Sequence, residues 1–149
     1  MISSDLRNIY QEIILAHSRN HGPSLLNSAD GESRQVNPIC GDEITLQLHL
    51  GADQVISEVC WTGRGCAISQ ASASLLADLA RGLPTFELSD RIKTFNTVLL
   101  SRGKLQLQEE LFGDAAALAS ISPNVARVKC ALLAWTAAKH AIAEMSAQE

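Results

Sequence analysis

The sequence has no concentration of positive charge. Its 12 Lys and Arg residues are scattered and outnumbered by 16 Asp and Glu, for a formal net charge of -4. A nucleic-acid interface needs a clustered basic face, and anionic membrane surfaces ask for the same, so neither partner is expected. Long apolar runs are missing as well. Stretches such as Cys130 to Trp135 are far too short to span a bilayer. Met1 to Asn20 lacks the apolar centre and small-residue cleavage site of a secretory signal, so the expected location is the cytoplasm. The chain also lacks cysteine pairs at zinc-finger spacing, internal repeats, low-complexity tracts and a G-x-S-x-G nucleophile elbow.

What is there suits one globular domain, residues 1–149, with 46% hydrophobic and 19% charged residues. Leu6, Ile9, Tyr10, Ile13, Ile14 and His17 recur at helical spacing and predict an amphipathic helix over about 4–20. A polar loop is expected over 27–33. Ile44 to Leu50 alternates apolar and polar residues as a half-buried strand does, and Val55, Val59 and Trp61 predict a second strand in a hairpin with it. Val36 suggests a third. Gly63-Arg64-Gly65 ends the sheet and opens a helix that Gly82 and Pro84 stop. Further helices are expected from a Ser89-Asp90 cap to Leu100, over 105–118, and from about Val128 to Met145. This order predicts an α+β fold, with helices on one face of a small, about three-stranded antiparallel sheet.

The chemistry-bearing stretch is Asn37-Pro38-Ile39-Cys40-Gly41-Asp42, a turn bounded by Pro and Gly that presents a thiol and a carboxylate two residues apart. In a reducing compartment the four cysteines favour metal binding or thiol chemistry over disulfides. Cys66 is expected at a helix N-terminus, where the dipole favours thiolate. Cys130 is expected in the first turn of the last helix, beside Arg127 and Lys129, which would lower its pKa. Cys60 falls mid-strand and reads as a filling thiol. The histidines His17, His21, His49 and His140 read as solvated, and Ser69, Ser72 and Ser74 as packing residues. Gly63-Arg64-Gly65 is too short for a phosphate loop. Residue types and spacing leave two readings open: one shared site on Cys40, Cys66 and Cys130, or three unrelated thiols. Three thiolates and a carboxylate suit tetrahedral zinc or a labile iron–sulfur cluster.

Three blocks carry a resemblance: the 37–42 turn, Gly63 to Ser72, and Ala126 to Trp135 around Cys130. With Ile9 to His17, similar to an "LYxxVIxxH" opening, they resemble the IscU/NifU scaffold family over nearly the whole chain. Lys129, where IscU-type scaffolds carry histidine, and the long interval between Cys66 and Cys130 resemble its SufU branch. The resemblance implies zinc on Cys40, Asp42, Cys66 and Cys130, with Cys40 accepting sulfur from a SufS-type pyridoxal-phosphate cysteine desulfurase. It implies downstream iron–sulfur assembly machinery as the other partner and no turnover without the desulfurase. Arg127 and Lys129 would stabilise anions or dock the partner. A scaffold that builds a cluster on the same four residues, and a module whose zinc is only structural, are the alternatives.

Overall fold

The computed structural model describes residues 4–147; Met1–Ser3, the first residues of the N-terminal stretch that lacks a secretory signal pattern, lie outside them. Helix α1 (Ser4–His17) precedes three strands, β1 (Gly31–Val36), β2 (Glu43–Leu50) and β3 (Ile56–Arg64). Helices α2 (Ala67–Ala80), α3 (Thr85–Leu99), α4 (Glu109–Phe112) and α5 (Val125–Ala147) follow. The strands form one antiparallel sheet in the order β1-β2-β3. This is the α+β arrangement the sequence predicts.

Register explains which face is buried. Leu46 pairs with Trp61 and Leu48 with Val59, so these four side chains share the face that α2 and α5 cover. Gly31 sits on the same face directly beneath α5, where an added Cβ would lie 2.3 Å from the Ala141 carbonyl oxygen. The other face carries Thr45, Gln47, His49 and Thr62. There the chain near Leu26 folds over Gln47: the Leu26 N–H donates to Gln47 Oε1, and Gln47 Nε2 donates back to the Leu26 carbonyl, both at 2.9 Å. Cys60 pairs with Gln47 and is buried among these groups, as a filling residue should be.

Between the helices, Phe95 of α3 stacks on Trp135 of α5 with ring centroids 3.8 Å apart. Trp135 Nε1 donates to Ser72 Oγ at 2.9 Å, and Ser72 donates to the Ala131 carbonyl at 2.6 Å. This relay ties α2 to α5 one residue from Cys130.

Several boundaries differ from expectation. β1 begins at Gly31, inside the expected loop, because its backbone pairs with β2 whatever its polar side chains. Val55 stands outside β3; positive φ at Asp53 and Gln54 breaks the strand before it. Helix α3 starts at Thr85, so Ser89 and Asp90 lie within it. The reason is tertiary: the Ile56 N–H donates to Leu83 O and the Gly82 N–H to Ile56 O, which pins the turn and leaves Pro84 as the cap. Residues 105–118 form no continuous helix. Gly113, at φ 55°, separates the four-residue α4 from a 3-10 segment, Gly113–Ile121. Among the described residues no helix is long and apolar enough to cross a membrane.

Candidate metal centre

The end of β1, the start of β2 and the end of β3 meet at one edge of the molecule, and the turn between β1 and β2 is the 37–42 stretch. Its shape follows from its residues. The Asn37 N–H donates to the Asp42 carbonyl and the Gly41 N–H to the Asn37 carbonyl, each at 2.8 Å. Asn37 Oδ1 accepts from the Ile39 N–H at 3.1 Å. Gly41 closes the loop at φ 78°, a left-handed angle that a side chain would strain. Ile39, 81% exposed, and Cys40 project to solvent, while Asp42 turns inward and is buried.

Asp42 enters a pocket prepared by the β3–α2 junction. Cys66 is the N-cap of α2, as expected, with extended backbone at φ −71° and ψ 171°. One turn on, Ser69 Oγ donates to Asp42 Oδ2 and lies 3.4 Å from Cys66 Sγ. Burial by itself would raise the Asp42 carboxyl. The hydrogen bonds from Ser69, the Cys66 amide and the thiols of Cys66 and Cys130 outweigh it, and the net shift is downward.

The third wall is α5. Ligand atoms of Cys40, Asp42 and Cys130 all lie within 4.8 Å of one another. Cys66 falls outside that mutual group but turns its thiol toward both Asp42 and Cys130. Donors around a tetrahedral zinc, with metal–sulfur bonds of about 2.3 Å, stand roughly 3.8 Å apart. Two thiols and one carboxylate at this spacing, with the Cys66 thiol beside them, are a donor set of the kind that could hold zinc or the iron of a cluster. The fold sets Cys40 and Cys130 in one donor group with Asp42, and places Cys66 next to that group.

Two expectations about Cys130 are corrected. Asn124 caps α5, its Oδ1 accepting from the Arg127 N–H at 3.3 Å, so the helix begins at Val125 and Cys130 sits in its second turn. Its thiol is also not acidified. Burial first, then the neighbouring Cys66 thiol, push it up to about 12, while Arg127 and Lys129 point to solvent. The serines do more than pack, and two of the histidines are not simply solvated: half-buried His49 sets Nε2 3.2 Å from Gln47 Oε1. Ser69 holds Asp42, and the half-buried His17 sets Nδ1 2.7 Å from Ser74 Oγ, which also accepts from Asn20 Nδ2. Ser69 is the site residue that spacing did not reveal. Its signal was position: three residues after Cys66 on a helix, it shares that residue's face.

Residues 9–131 match the family described as NifU-like N terminal domain, a span that contains all four of these residues. The chain belongs to that family. Its NifU-like sequence is 31% identical over 143 residues to the zinc-dependent sulfurtransferase SufU of Bacillus subtilis, covering 95% of each chain. It is 33% identical over 144 residues to the iron–sulfur cluster assembly scaffold protein IscU of Streptococcus pyogenes, covering 95% of this chain and 87% of that one. The NifU-like fold superposes with a TM-score of 0.78 on a crystal structure from Fervidobacterium islandicum described as a candidate scaffold of the SUF system. Those two share 29% identity, over 91% of this chain and 98% of that one. The chain thus stands among the SufU- and IscU-type iron–sulfur assembly proteins.

Proposed function

We propose that this chain is a zinc-binding sulfur acceptor, taking persulfide sulfur from a pyridoxal-phosphate cysteine desulfurase onto Cys40 for iron–sulfur cluster assembly. The observation that carries this is a contrast within one donor group: Cys40 is exposed on a turn, while Asp42 and Cys130, within 4.8 Å, are buried. A purely structural metal site has no need of a ligand at the surface. The relative named a zinc-dependent sulfurtransferase supports the choice of metal and reaction.

Cys40, Asp42, Cys66 and Cys130 would hold the ion, which when bound keeps its thiol ligands deprotonated and orders the turn. In the transfer, the Cys40 thiolate attacks the terminal sulfur of the desulfurase persulfide. A bond forms from Cys40 to that sulfur, the bond to the desulfurase cysteine breaks, and that cysteine leaves as thiolate, so no oxidant or reductant is consumed. Exposed Ile39 offers the partner an apolar contact beside the nucleophile. Arg127 and Lys129, exposed on α5, supply positive charge for docking or for the persulfide anion. The chain works as one cytoplasmic domain and hands its sulfur to the downstream assembly machinery.

Mass spectrometry tests this directly. Mixed with a SufS-type desulfurase and cysteine, the protein should gain one sulfur, on Cys40. Cys40→Ala should gain none. Sulfur on Cys60, or sulfur that persists in the Cys40 variant, would overturn the assignment.

A second reading has its own support in the relative named an iron–sulfur cluster assembly scaffold. On that reading the same four residues bind a cluster, and anaerobic reconstitution should yield stoichiometric iron and acid-labile sulfide.

A further inference from the structure

Ser69 is the third residue of α2, buried at 8% exposure, and its one hydroxyl touches side chains from two separate elements. It donates to Oδ2 of Asp42, on the β1–β2 turn, and lies 3.4 Å from Sγ of Cys66, at the cap of its own helix. A serine hydroxyl has a single proton. With that proton given to Asp42, only its lone pairs face Cys66. Among the described residues, no buried side-chain oxygen or nitrogen lacks a partner. Removing the hydroxyl therefore takes from Asp42 Oδ2 the bond that Ser69 gives it.

We infer that Ser69 is a positioning residue of the metal centre: by engaging Oδ2 of Asp42 it leaves Oδ1 as the oxygen offered to the ion. The carboxylate then acts as a one-oxygen ligand with a fixed orientation, and it keeps that orientation while Cys40 is engaged in sulfur transfer. This rests on the reading of Asp42 as a ligand. Ser69 acts through Asp42 and needs no contact with the metal.

The test is a double-mutant cycle on the full-length chain, with zinc affinity measured by competition against a chromophoric chelator. Ser69→Ala should weaken zinc binding by about 10- to 100-fold, as loss of a group that orients a ligand does. Asp42→Ala should weaken it at least as much, and the double variant no more than Asp42→Ala alone. A role confined to helix packing would instead give losses that multiply in the double variant, which overturns the inference. Alanine is at least as good a helix former as serine, so circular dichroism of all four proteins should agree. In the cobalt-loaded protein, the visible ligand-field bands should weaken in Ser69→Ala as the freed carboxylate adds its second oxygen. The thiolate charge-transfer bands should hold. Wild-type zinc affinity in Ser69→Ala overturns this inference alone. A wild-type protein that binds no zinc overturns it together with the proposed function.

Discussion

A methyl group added to Gly65 would stand 2.8 Å from Cγ of Asp42 and 2.7 Å from Oγ of Ser69. The glycine is thus the floor on which the carboxylate rests, and its missing side chain sets how closely the β3–α2 junction can approach the turn. Gly65→Ala should push Asp42 away while leaving sheet and helices intact. The expected outcome is zinc content well below one per chain with an unchanged circular dichroism spectrum. Full zinc content in that variant would show that the close approach does not matter.

The donor group itself predicts unequal cysteines. Cys66→Ala and Cys130→Ala should each abolish stoichiometric zinc, measured by elemental analysis of protein purified without added metal. Cys60→Ala should keep its zinc, because Cys60 packs against the outer face of the sheet beside Gln47. Its cost should be a modest loss of stability, about 1 kcal/mol. A silent Cys130→Ala would refute the site.

The metal-free protein should lose stability as pH rises above the ordinary thiol value. Cys130 is pushed from 9.0 up to about 12 in the folded chain, chiefly by burial. Between those values the unfolded chain has released a proton that the folded one keeps, so the contribution is complete below 9 and fades toward 12. Zinc binding must displace that same proton. Loading at neutral pH should therefore release protons, seen with a pH indicator, and affinity should fall as pH is lowered. Proton-neutral uptake would contradict this.

The relay from Trp135 through Ser72 to the Ala131 carbonyl is buried at every step. Ser72→Ala leaves the Trp135 N–H without a partner and should cost about 1–3 kcal/mol in urea denaturation. A loss below about 0.5 kcal/mol would mean the indole finds another acceptor.

Much of the site could be read because its parts are local. Pro38 and Gly41 announce a sharp turn, the alternation from Ile44 to Leu50 announces β2, and the glycines at 63 and 65 mark where β3 gives way to α2. The tether from Ser69 to Asp42 joins residues on different elements, and no local pattern encodes such a pairing. The 105–118 segment misled for a different reason. Ala115 to Ala119 are buried without a break, so their apolar run has no helical period to read. α3 starts ahead of the expected Ser89-Asp90 cap because backbone bonds pin the Gly82–Leu83 turn to Ile56 and leave Pro84, read as a stop for α2, as the cap of α3. Cys130 was misplaced because Asn124, an ordinary N-cap residue, follows Pro123 directly and begins the helix sooner.

The donors converge from a turn, a helix start and the second turn of another helix, with on the order of 90 residues between Cys40 and Cys130. An ion gripping all of them closes loops as a covalent cross-link would, at an entropic gain of several kcal/mol against the unfolded chain. Unlike a cross-link it can be withdrawn. Proteases and heat would then act as gauges of metal occupancy, and a cell short of zinc would clear this chain sooner than one well supplied.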